Sequence, residues 1–190
     1  MFRKWLRNSR RVRCGASVAM AAVMCLTLAK AQQGAPASDK AVQRITKEVR
    51  HELLMLPYLG VFDNLAYKVD GYNVTLVGQV TRPTLRSDAE NVVKRIEGVE
   101  YVDNQIEVLP PSPMDESLRR QLYRAIYSYP ALQKYALGVQ QPIRIIVRNG
   151  KVALEGVVDN EGDKNIANIQ ANGVPGVFSV TNNLQAVSPK

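Results

Sequence analysis

Apolar residues switch between two spacings along the chain, and the switches come in the same order twice. In the first half Val42, Ile45, Val49, Leu53 and Leu56 recur at helical spacing, and Pro57 ends that run. Leu65, Tyr67 and Val69 then alternate with polar residues as a half-buried strand does. Gly71-Tyr72 stands where a two-residue hairpin needs positive φ, and glycine in its first position predicts a type II′ turn. The return strand carries Val74, Leu76, Gly78 and Val80. A second helix is predicted from Thr84 as cap, with Leu85, Ala89, Val92 and Ile96 on one face. Gly98 stops it, and Val102, Ile106 and Val108 form a last strand.

The second half repeats this order. Its first helix places Leu118, Leu122, Ala125 and Ile126 on a core face. Its hairpin turn is Asn149-Gly150, which predicts type I′. Both turns set Val69 opposite Val74 and Val147 opposite Val152. From Asp70 onward the halves align at a constant offset of 78, with nine identities, among them Val74/Val152, Gly78/Gly156, Gly98/Gly176 and Asn104/Asn182. A fixed offset of this kind marks an internal duplication. The expected fold class is therefore α+β: two tandem αββαβ domains, each a small three-stranded mixed sheet packed with two helices. The expected boundaries are 39–109 and 116–187, joined by a Pro-rich linker at 110–115 that contains Pro110-Pro111-Ser112-Pro113.

Residues 1–31 have a different character. A basic run from Arg3 to Arg13 precedes an apolar stretch of 16 residues from Cys14 to Ala29, and Ala29-Lys30-Ala31 supplies small residues for cleavage. That order predicts a secretory signal peptide cut after Ala31, and hence a periplasmic protein. The apolar stretch is shorter than the ~20 residues a spanning helix prefers. Met24 before Cys25 is too large for a lipoprotein signal.

The leader also changes the charge. The chain has 25 basic and 17 acidic residues, and seven of the basic ones lie in residues 1–31. Without them 18 stand against 17, so charge gives no case for nucleic acid. Both cysteines, Cys14 and Cys25, leave with the leader, and with them any disulfide, thiolate metal site or cysteine nucleophile. His51 is the only histidine and falls on the polar side of its helix, so it reads as solvated. Asp159, Glu161 and Asp163 have the wrong glycine register for a calcium loop, and position 170 is Gln where a closing Glu belongs, so the stretch reads as an ordinary acidic loop. The expectation is a non-enzymatic protein with no cofactor and no metal.

The two sets Val74, Leu76, Gly78, Val80, Gly98, Val99, Val102, Asn104, Ile106 and Val152, Leu154, Gly156, Val158, Gly176, Val177, Val180, Asn182, Leu184 follow one pattern. A strand V-x-L-x-G-x-V, a helix, then G-V-x-x-V-x-N-x-L/I resembles the BON domain (bacterial osmotic-shock and nodulation domain). That resemblance implies non-enzymatic, often periplasmic proteins that attach to phospholipid membranes and help the envelope withstand stress. Within the repeat, Gly78 and Gly156 read as sites where a helix approaches closely or the strand bulges, and Asn104 and Asn182 as amides that tie down a neighbouring loop.

One stretch, LRRQLYRAIYSYP at 118–130, suggests a surface. Its helical wheel puts Arg120, Arg124 and Tyr127 opposite the core face, flanked by Arg119 and Tyr123. Arginine suits phosphate and tyrosine suits a headgroup boundary. Residues 39–109 carry 9 basic and 11 acidic side chains, whereas 110–190 carry 9 and 6. The expected partner is an anionic phospholipid surface, met through Arg119, Arg120, Tyr123, Arg124 and Tyr127. The alternative is an envelope or secretion protein bound at an open sheet edge.

Overall fold

A computed structural model of the chain describes residues 38–138 and 140–187. The leader read over residues 1–31 lies outside them. The first half consists of α1 (Asp39–Leu54), β1 (Asn64–Asp70), β2 (Asn73–Val80), α2 (Pro83–Lys94) and β3 (Tyr101–Val108). The second consists of α3 (Pro113–Tyr127), a short 3-10 turn (Gln133–Ala136), β4 (Ile143–Arg148), β5 (Lys151–Val158), α4 (Glu161–Asn172) and β6 (Ser179–Ala186). Each half is a three-stranded sheet with its hairpin return strand in the middle, in the orders β1-β2-β3 and β4-β5-β6. The hairpins are antiparallel and the strands joined through a helix are parallel. The α+β fold of two αββαβ units is thus as the sequence pattern implies. Among the described residues no helix is long and apolar enough to cross a membrane.

The turns follow their sequences. Gly71 has φ +62, with Val69 paired to Val74. Asn149 and Gly150 have φ +51 and +74, with Val147 paired to Val152. The strand glycines answer to a neighbour different from the helix expected. A Cβ at Gly78 would stand 2.0 Å from the Asn64 carbonyl oxygen, and one at Gly156 would stand 1.9 Å from that of Pro142. Both have left-handed φ, +132 and +122, opposite the start of the outer hairpin strand. Asn104 and Asn182 hold a helix rather than a loop. Their amides donate to the Arg86 and Lys164 carbonyls, and their oxygens accept from Ile106 and Leu184 two residues on.

Two helix starts depart from expectation. α2 begins at Pro83, with Arg82 in the cap position and no side-chain cap. Thr84, expected to cap, is already inside the helix. In the acidic stretch of the second half Asn160 caps α4 by accepting from the Asp163 amide.

Ile45, Val49, Leu76, Val80 and Ile106 centre one core; Leu122, Ile126, Ile145, Leu154 and Leu184 centre the other. Fully burying each such side chain contributes about 1.5–3 kcal/mol. The halves also touch. Val61 follows α1 but packs into the second core, and its carbonyl accepts from the Ile145 amide at 2.9 Å on the outer edge of β4. Arg144 donates to the Gly60 carbonyl, Gln140 donates to the Leu54 carbonyl, and Arg148 pairs with Glu107.

Candidate functional site

α3 carries all five residues expected to meet lipid. Ser112 caps it and Pro113 occupies its first turn. The Asp115 carboxylate, buried in that turn, accepts from the Asn149 and Gly150 amides and so fixes the helix against the β4–β5 turn. This pose sets which arc of the helix faces inward.

That arc is wider than the wheel of the sequence suggests. Arg119 and Tyr127 are both 4 % exposed and belong to the interior. Arg119 donates to the Val147 carbonyl at 2.9 Å and to Glu116 at 3.1 Å. Tyr127 donates to the Ile143 carbonyl at 2.6 Å, and burial pushes its phenol pKa upward. The expected lipid role of these two is corrected on physical grounds. β4 lies alongside α3 and offers backbone carbonyls two turns apart, and long amphipathic side chains fold onto it rather than into solvent.

Arg120, Tyr123 and Arg124 stay on the surface. Arg120 is more than half exposed and reaches Glu116 at 3.4 Å. Arg124 is exposed one turn further. Tyr123 is half-buried, its ring 4.9 Å from the Tyr127 ring and 6.4 Å from that of Phe62, which meets it edge-on. Together with Val61 and Phe62 these three residues line a shallow cleft of 280 Å³. Two guanidinium groups and two aromatic rings thus share one concave patch. Phe62 is the member that the sequence reading missed. It precedes Asp63, outside the repeat's aligned region, and only the second half's geometry brings it here.

The other expected groups have structural roles or stay apart. His51 is exposed on α1. Asp163 is buried, accepting from the Tyr135 hydroxyl and the Asn160 amide and pairing with Lys134. Burial raises its pKa, but the hydrogen bonds from Lys134 and Tyr135 outweigh that and hold it below the ordinary value.

The sequence matches the BON domain over residues 41–110 and again over 115–188. No curated protein matches it. Among solved structures, CdsD, a structural protein of the type III secretion system of Chlamydia trachomatis, aligns at 11% identity and a TM-score of 0.27. The alignment covers 76% of this chain and 93% of that one. The C-terminal domain of the same protein aligns at 12% identity and TM-score 0.27, covering 74% and 96%. At that score neither likeness bears on what this chain does. BON domains form a non-catalytic binding family associated with the bacterial envelope and with phospholipid. With the match reaching both sheets and α1 to α4, the chain belongs to the BON domain family and contains two tandem copies.

Proposed function

We propose that this protein is a periplasmic, non-enzymatic envelope component that docks on anionic phospholipid through the exposed face of α3, and so supports the envelope under osmotic stress. The observation that carries the reading is the patch itself: Arg120, Arg124 and Tyr123 line one cleft, with the Phe62 ring against that of Tyr123. Guanidinium groups take phosphate oxygens in pairs, and an aromatic ring with a polar tip rests at the boundary between headgroup and acyl chain. Basic side chains near an anionic surface contribute about 1 kcal/mol each, and salt weakens them. The second half also carries the cationic excess.

Liposome flotation tests the proposal. Recovery with anionic vesicles should exceed that with zwitterionic vesicles and fall as salt rises. Replacing Arg120 and Arg124 together by alanine should lower the partition coefficient about 25-fold, the equivalent of about 2 kcal/mol. Equal recovery on both vesicle types, or no loss in the double variant, refutes the proposal.

A further inference from the structure

Each sheet has two outer strands, and a bare outer strand offers unpaired backbone groups to any chain that lies beside it. Three of these four strands are guarded. β1 carries Lys68 and Asp70, and β3 carries Asp103 and Glu107. β4 is covered where the Val61 carbonyl accepts from the Ile145 amide. β6 is different. Its 8 residues read SVTNNLQA, with no charge and no proline. Among the described residues no backbone segment pairs with its outer side.

The duplication makes the contrast exact at single positions, because β3 and β6 occupy the same place in their halves. Glu100, Asp103 and Glu107 stand where the second half has Phe178, Thr181 and Gln185. The bond from the Leu184 amide to the Asn182 side chain recurs as that from Ile106 to Asn104, so it does not account for the difference. The strand ends differ too. Leu109, just after β3, is buried, whereas its equivalent Val187 is 56 % exposed. Phe178, just before β6, is 79 % exposed. β6 therefore has an exposed apolar side chain at each end and an uncharged margin between them.

We infer that the outer margin of β6 pairs with β6 of a second copy of this chain, antiparallel across a two-fold axis. Such an axis sets the start of one strand beside the end of the other. Phe178 then comes beside Val187 of the second copy, and the same contact forms again at the opposite end. Between them Thr181, Asn183 and Gln185 meet only uncharged residues. The same pairing through β3 would bring Glu100, Asp103 and Glu107 against their own copies, and like charges across a strand pair are destabilising. A partner recognised by its charge finds nothing to pair with on this margin, whereas the strand itself is complementary to its own copy at both ends. Pairing also satisfies the outward backbone groups of both strands. None of these residues belongs to the patch on α3, so pairing and vesicle binding are scored apart.

Sedimentation equilibrium of the full chain tests the inference, under reducing conditions so that Cys14 and Cys25 form no crosslink. A monomer–dimer equilibrium is expected. An acidic chain with Thr181→Asp and Gln185→Glu, the residues that β3 carries at the equivalent positions, should dimerise at least about tenfold more weakly. A basic chain with Thr181→Lys and Gln185→Lys should weaken likewise. Both positions are exposed, so circular dichroism should stay unchanged. Mixing the acidic and basic chains should restore a dimer, because opposite charges then meet across the axis. Phe178→Glu lies outside the strand and should weaken the dimer without touching the sheet. A monomer at every concentration overturns the inference. Association that persists in the acidic, basic and Phe178→Glu chains overturns it too, by placing the contact elsewhere. A mixture that stays monomeric overturns the strand-to-strand pairing.

Discussion

Buried polar groups in the second half are sensitive reporters of the fold. Tyr127→Phe keeps the ring packing and removes only the bond to the Ile143 carbonyl. It should cost about 1 kcal/mol in urea unfolding and leave vesicle flotation unchanged, which separates the interior of α3 from its surface. Gly156→Ala forces a methyl group onto the Pro142 carbonyl at a left-handed φ, and should cost about 3 kcal/mol in the same measurement. Asp163 supplies a pH dependence. Its folded pKa lies below the ordinary 3.8, so its contribution is full above that value and is lost as pH falls through the folded one. Asp163→Asn should flatten the acid limb of the stability curve below about pH 5. The repeat glycines and asparagines were legible in the sequence because a fixed offset singled them out. What they touch was not legible, since a strand carbonyl and a helix carbonyl leave no residue-type signature.

At the level of elements, hydrophobic spacing located the strands and helices well because each buries one face. It located the arc of α3 poorly. A wheel ranks Arg and Tyr as outward, whereas β4 accepts the tips of Arg119 and Tyr127 with backbone carbonyls. Three of the five expected site residues survive that correction on the surface, and Phe62 joins them from another element. α2 lacks a side-chain cap, so Arg82→Asp should raise stability by about 0.5–1 kcal/mol by supplying one, read as a higher urea midpoint. Part of that gain is offset by losing the Arg82 guanidinium over the Tyr58 ring at 5.0 Å.

For the whole molecule, the duplicated halves are not equal partners. The first core is built from its own residues, whereas the second includes Val61 of the first. Val61→Ala should therefore destabilise the second half, by about 2 kcal/mol, and shift its amide exchange before that of the first half. Ribosomal synthesis runs from the amino terminus. The early half can close on its own residues while the later one is still being made, and it then presents a ready-made edge on which β4 can align. Released alone, a fragment from residue 110 onward would lack that guide and leave a bare strand margin, a known seed for aggregation. Gene fragments meant for production should for that reason begin upstream of Gly60.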